Sequence, residues 1–277
     1  MIDIKQIHEI QLDMLKVIDG LANKLNLQYF LTGGSAIGAV RHHGFIPWND
    51  DIDIGLTRKD FEKFVKLMPD YLSKFGLFLE EDRLDPKFEF DFAKVMRADT
   101  SILERGREDT NTKDGIFIDV FPFDKMPESK VDQNNQKNAL NKINRVITNK
   151  VYPERDHVDG SSKLLKDWRL TDLYLRRLSI MENYDDQRSL PNVNMSSPYG
   201  YGKEVILQSE LSDGVVKRVF EGYQFPILKD YDSYLRRLYG NYMKLPPEAK
   251  RYQRHILQVS FEADSDGLNL NNDQQIS

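Results

Sequence analysis

An α+β fold, a mixed β-sheet with helices packed against it, is what this sequence predicts, and three observations carry it. Helical and strand-like patterns alternate from Asp3 to Phe123, glycines cut the early strand short, and the stretch from Glu128 to Tyr184 reads as helix. With 277 residues, 40% of them hydrophobic, the chain can bury a sizeable core as one large domain or two modest ones.

In chain order, Ile4, Ile7, Met14, Val17, Ile18, Leu21 and Leu25 recur at helical spacing, which predicts an amphipathic helix over 3–25. Leu27 to Thr32, LQYFLT, is a short apolar run stopped by Gly33-Gly34, the pattern of a buried strand ending in a turn. Ser35 is placed to cap a short helix through Arg41, and Pro47 makes residues 45–48 a loop. Asp51 to Ile54 alternates acid and isoleucine and reads as a strand. Thr57 then caps a helix towards Lys74, with Phe61, Phe64, Val65, Leu67 and Met68 on its apolar face and Pro69 disturbing its end. Strands are expected at Leu77–Glu80, Phe88–Arg97 and Ile116–Phe121. Beyond the helical stretch, Leu190–Gly202 is a loop long enough to link units or cover a substrate, Tyr234–Tyr239 is a helix, and residues 262–277 are too polar to pack.

Composition removes several function classes. A net charge of −5 argues against wrapping nucleic acid, which needs a positive field. With no cysteine, disulfides, thiolate nucleophiles and cysteine-ligated zinc drop out together. No run approaches the roughly 18 apolar residues of a membrane span, and MIDIKQIHEI lacks a signal-peptide core. A cytoplasmic protein is expected, one that could still meet a lipid-linked substrate at the inner face of a membrane through peripheral contact.

The chemistry concentrates in Tyr29–Leu56, YFLTGGSAIGAVRHHGFIPWNDDIDIGL. On a strand, Asp51 and Asp53 share a face roughly 7 Å apart at Cα, and two such carboxylates stay ionised only beside something cationic. A divalent metal with oxygen preference is the simplest candidate, while Asp50 points the other way. A glycine turn before such a strand suits phosphoryl transfer, because backbone N–H groups can approach phosphate oxygens where no Cβ intrudes. Asp119 is the one acid in the apolar run FIDVF, and on its own reads as a buried acid paired with a core arginine or capping a turn.

Taken together, GGSAIGAVRHHGFIPWNDDIDIGL, FAKVMRADTS (92–101), DGIFIDVFPFD (114–124), YGKE, FEGYQFP and YDSYLRRLYGNYMKLPPEAKR resemble the LicD-type phosphocholine transferase family, within the nucleotidyltransferase fold. The resemblance covers most of 12–255. It implies a nucleotidyltransferase-like catalytic core over 1–127 and a largely helical region over 128–261 completing the substrate cleft. It also implies transfer of phosphocholine, or another phospho-alcohol, from a CDP-linked donor to a glycan or lipid-linked glycan acceptor such as teichoic acid, lipopolysaccharide or capsule precursors. The metal pair of the family falls on Asp51 and Asp53, with Asp119 as third ligand and Mg2+ or Mn2+ as cofactor. Gly33, Gly34 and Ser35 would contact nucleotide phosphates, and Arg41, Lys94 and Arg97 would offset donor charge. Two departures stand out, since the family usually reads WDDDIDI and YGDYM where this chain has Asn49 and Asn241. A nucleotidyltransferase on the same scaffold and a non-catalytic nucleotide- or glycan-binding module are the alternative functions.

Weaker substrate candidates are Trp48, His43, Tyr201, Lys203 and Glu204. Trp48 reads more simply as a packing anchor, and His42-His43 as loop residues, because sequence neighbours rarely aim at one ion. Tyr199, Tyr201, Tyr223, Tyr231, Tyr234, Tyr239 and Tyr242 could cage a quaternary ammonium, although aromatics at helical spacing are more often core. The basic groups Lys163, Lys166, Arg169, Arg176 and Arg177 read as a solvated helix face or, more sharply, a contact for an anionic acceptor.

Overall fold

A computed structural model describes residues 3–108, 114–153, 165, 167–253 and 255–261. The tail call at 262–277, and Lys163 and Lys166, lie outside the described residues.

Helix α1 spans Ile4–Lys24, capped by the Asp3 carboxylate, which accepts from the Lys5 N–H. Strand β1 is only Phe30–Leu31, and α2, Gly33–Ile37, follows at once with Thr32 as its N-cap residue. Ser35 is therefore inside the helix rather than at its cap. The chain continues as a π-helical turn, Gly38–His42, that folds the loop back so closely that a Cβ on Gly38 would sit 2.5 Å from the Gly44 carbonyl oxygen. Strand β2 begins at Asp53, not Asp51, and runs to Thr57, whose hydroxyl caps α3, Arg58–Leu67. Pro69 restarts the chain as α4, Pro69–Leu72.

The next strands are β3, Leu77–Glu80, β4, Ala93–Arg97, β5, Thr100–Glu104, and β6, Phe117–Lys125. The expected strand from Phe88 starts five residues late, because Phe88, Phe90 and Phe92 pack ring against ring in the approach to β4. Helices α5, Lys130–Val151, and α6, Leu170–Met181, fill the expected helical stretch. Five further strands and two helices follow: β7, Asn192–Asn194, β8, Val205–Ile206, α7, Gln208–Ser212, β9, Val215–Phe220, β10, Tyr223–Leu228, α8, Tyr231–Tyr239, and β11, Ile256–Phe261.

Among the described residues the main sheet runs β3-β4-β6-β2-β1-β10-β9, with β7 and β8 continuing from the far end of β6. The pairs β2–β6 and β1–β10 are parallel and the others antiparallel. Strands β5 and β11 form a second, two-stranded sheet. Strands β7 to β10 thus join the same sheet as the N-terminal ones, while β11 pairs with β5. Sequence reading passed over the β9–β10 hairpin although its turn, Glu221-Gly222, has φ of +49 and +80, the backbone of a two-residue hairpin loop.

Period-two alternation divides the sheet's faces. Ile54, Leu56, Ile118 and Val120 pack with Ile7, Met14, Ile18, Phe61 and Phe64 of α1 and α3. The opposite face carries Asp53, Gly55, Asp119, Phe121 and Phe123, the last two packed with Tyr234 and Leu235 of α8. No helix of the described residues is long and apolar enough to cross a membrane.

Candidate active site

Strand register assembles the charges. Parallel pairing of β2 and β6 sets Asp53 opposite Asp119, and antiparallel pairing of β4 and β6 sets Lys94 opposite Asp119. Three neighbouring strands therefore present Asp53, Asp119 and Lys94 side by side on one face. Lys94 is 1% exposed, with Nζ 2.9 Å from Asp119 and 3.2 Å from Glu104 of β5, over the Phe117 ring at 3.4 Å. The cation that the paired acids call for is partly built into the chain.

Asp51 sits in the segment leading into β2. Asn49 Nδ2 donates to its Oδ1 at 2.5 Å, and His255 Nε2 lies 3.1 Å from its Oδ2. The amide of Asn49, where the family usually has a carboxylate, thus supplies a donor instead of a further repulsion. Helix α1 holds this segment by its backbone, through His8 to the Asn49 carbonyl at 2.7 Å and buried Gln11 to the Asp50 carbonyl at 3.0 Å. Asp50 turns away from the pair, as expected, and accepts from the backbone N–H groups of His255 and Ile256. That contact delivers His255 to Asp51.

A third acid comes from the C-terminal region. Glu204, 3% exposed, accepts from Tyr234 at 2.7 Å, Thr32 at 3.0 Å and Asn194 at 3.0 Å. Tyr234 also lies 2.6 Å from Thr32 Oγ1, so α8 and β7, through Glu204, clamp the residue that precedes α2. Gly33 has φ +54, and a Cβ there would come within 2.9 Å of Asp53 Oδ2. Both its backbone and its missing side chain are required. Ser35 Oγ accepts the Asp53 N–H at 2.9 Å, tying α2 to β2.

Electrostatics mark the acids as short of positive charge. Burial, then Asp51, Asp119 and Glu204, hold Asp53 well above the usual carboxylate range. Burial pushes Asp119 up to about 6 despite Lys94, and raises Asp51 against the pull of His255. Lys94 is pulled down by burial, but Asp119 and Glu104 outweigh it and raise it. An all-oxygen set of crowded carboxylates that ionise together only beside positive charge suits a hard divalent cation. Among the described residues, no three His, Asp or Glu side chains already form a closed metal cradle. The donor chemistry of Asp51 and Asp53 fits such an ion, whereas Asp119 already answers Lys94.

Comparison with known proteins bears on this geometry. The LicD/FKTN/FKRP nucleotidyltransferase domain matches residues 26–154, which contain Gly33, Asp51, Asp53, Lys94 and Asp119. The lipopolysaccharide cholinephosphotransferase LicD of Haemophilus influenzae is 28% identical over 260 residues, spanning 90% of this chain and 96% of that protein. Residues 26–154 are thus matched by a LicD-type domain. A local similarity also links it to the ribitol 5-phosphate transferase FKRP of human and of mouse, 38% identical over 45 residues, or 16% of this chain and 9% of FKRP.

Within and around this LicD-type domain the other candidate residues, Lys94 aside, fall outside the acid cluster. Arg41 donates to the backbone carbonyls of Tyr242 and Lys244 and so fastens the segment after α8. Arg97, three residues along β4 from Lys94, forms a bidentate pair with Asp99 at 2.6 and 2.8 Å. Lys94 itself is enclosed by Asp119 and Glu104, so it acts on those acids and not on a phosphate at the surface. His43 ends the π-helical turn at φ +57, exposed, with its carbonyl accepting from Glu221. Trp48 packs against His42 and Arg251. Tyr201 donates to Gln136 of α5 at 2.5 Å, and Lys203 is exposed.

The tyrosines do not form one cage. Tyr199 and Tyr239 meet edge to face near Gly33, while Tyr223 and Tyr231 stand beside Lys16 and Arg218 at the β9–β10 hairpin. Arg177, read as solvated, is 1% exposed and paired with Asp82 at 2.8 Å. Asn241 is exposed. Residues missed from sequence are Glu104, His255, Thr32 and Asn194, while Tyr234, named there as an aromatic, holds Glu204 through its hydroxyl; the acid in TSILE, so close after FAKVMR, is the one hint of a strand-borne partner for Lys94.

Proposed function

We propose that this chain, with its LicD-type domain, moves phosphocholine, or a related phospho-alcohol, from a CDP-linked donor to a hydroxyl of a cell-surface glycan precursor. The observation that carries the reading is the similarity to a lipopolysaccharide cholinephosphotransferase along nearly the whole of both chains, with the acids converging where β2 and β6 pair. The FKRP similarity supports the wider phospho-alcohol class. The acceptor is taken to be lipopolysaccharide or an equivalent teichoic acid or capsule precursor, met at the inner face of the membrane by peripheral contact.

In the reaction, the acceptor oxygen forms a bond to the donor phosphorus while the bond from that phosphorus to the CMP oxygen breaks, and CMP leaves. Asp51 and Asp53 would hold Mg2+ or Mn2+, with Asp119 beside them. When bound, the ion supplies the positive charge that offsets the transferred and leaving oxygens. Lys94 and Glu104 keep Asp119 in place, His255 and Asn49 orient Asp51, and the Thr32–Tyr234–Glu204 clamp fixes Gly33 against Asp53. The start of α2 then borders the acids, where the donor's phosphates belong.

The test is incubation of the purified chain with CDP-choline, Mg2+ and a lipopolysaccharide glycan, with CMP release followed and the acceptor weighed by mass spectrometry. The acceptor should gain phosphocholine, and Asp53→Asn should lower turnover at least about 100-fold. Gain of a nucleotide instead, or undiminished turnover in the variant, refutes the reading.

A further inference from the structure

We infer that Lys94 occupies the position of a second metal ion, so that this chain binds one divalent cation where a carboxylate cluster of this size could bind two. The inference rests on the metal reading of Asp51 and Asp53 and deepens it.

Phosphoryl transfer on clustered carboxylates is often served by two ions about 3.5–4 Å apart, each offsetting part of the acid charge. Here Asp51, Asp53, Asp119, Glu104 and Glu204 crowd one end of the sheet, and they divide into two groups. Asp119 and Glu104 face an ammonium at 2.9 and 3.2 Å, which is a charge-assisted contact at both oxygens. Among the described residues neither Asp51 nor Asp53 forms an ion pair with a lysine or arginine, and Lys94 acts on them only at longer range; Asp51 meets the Asn49 amide and the His255 ring, and Asp53 is crowded by other acids.

The lysine is caged. Its Nζ lies 3.4 Å from the centroid of Phe117, with Phe90 and Phe92 at 5.8 and 5.7 Å, so two carboxylates and three rings surround it. It is 1% exposed, and an ammonium with three N–H groups spends them on two carboxylates and an aromatic face. A divalent ion cannot share that space. The second oxygen of Glu104 is buried without a hydrogen-bond partner, which leaves an oxygen ready for an ion if the ammonium were gone. Asp119 keeps 11% of its side chain exposed. Lys94 is thus a positioning residue that neutralises Asp119 and Glu104 without entering the metal's coordination.

Titration of the full chain with Mn2+, followed by electron paramagnetic resonance, reads the stoichiometry directly and without turnover. One ion per chain is expected, absent in Asp53→Asn. In Lys94→Ala, which frees both charge and space, a second ion should bind to Asp119 and Glu104, and dipolar broadening should report two neighbouring ions. Circular dichroism confirms that the variant is folded. Two ions in the unaltered chain overturn the inference whatever the variant does, and so does a folded Lys94→Ala that still takes one. No Mn2+ at all refutes the metal reading of Asp51 and Asp53, and this inference with it.

Discussion

Replacing Lys94 with methionine, similar in length but uncharged, asks how much of the fold depends on one buried ammonium. At an effective dielectric near 20, contacts of 2.9 and 3.2 Å are each worth roughly 5–6 kcal/mol before the cost of dehydrating the ions. Once that cost is included, removing one member of a buried ion pair typically destabilises by about 3–5 kcal/mol, since the acids are left uncompensated. That is a large share of the ~5–15 kcal/mol that holds a domain together. Urea unfolding in EDTA at pH 7.5 should show this loss. The loss should shrink at pH 5.5, where Asp119, already near 6 beside its lysine, takes up a proton. Adding Glu104→Gln should recover part of it by removing one stranded charge. A loss below about 1 kcal/mol at pH 7.5, or one equal at both pH values, would refute the assignment of Lys94 as the counter-ion of these acids.

Other outcomes follow from the same geometry. Gly33→Ala should cost about 1–2 kcal/mol from its φ of +54 and lower turnover as well, because the new Cβ meets Asp53 Oδ2; an unchanged melting temperature and rate would contradict this. Tyr234→Phe should cost about 1–3 kcal/mol by leaving buried Glu204 with one donor fewer and Thr32 without its hydroxyl partner, measured by chemical unfolding. Asp119 and Asp185 are raised to about 6 by burial, and Glu80 and Glu81 to about 7. The folded chain therefore holds more protons than the unfolded one between about pH 4 and 7, and stability falls as pH rises through that window. Without metal, the melting temperature should be higher at pH 5.5 than at 7.5, and Mg2+ should raise it more at 7.5; the reverse order would contradict the charge balance described.

Much of the molecule was legible in its residues because local rules governed it. Helix α1 follows from the spacing of Ile7, Met14, Ile18 and Leu21, and α3 from the Thr57 cap and its Phe61, Phe64 face, where burial and capping agree. The aspartates of NDDIDIGL and FIDVF stood out because acids in apolar runs need a reason. The short strands after residue 190 were less legible, since β7 and β8 have three and two residues and β9 lies exposed at the sheet's edge, leaving little hydrophobic pattern to read.

The sequence by itself determined which residues are candidates for chemistry: the acids at 51, 53 and 119 and the glycines at 33 and 34 are singled out by residue type, local spacing and the family resemblance. What only the tertiary structure decided is what each of them faces. Sheet register, which joins residues 53, 94 and 119 across three strands, turned Lys94 inward to Asp119, and chain folding brought His255 to Asp51 over 204 positions of chain. Those partnerships depend on pairing between distant segments. No local periodicity encodes it.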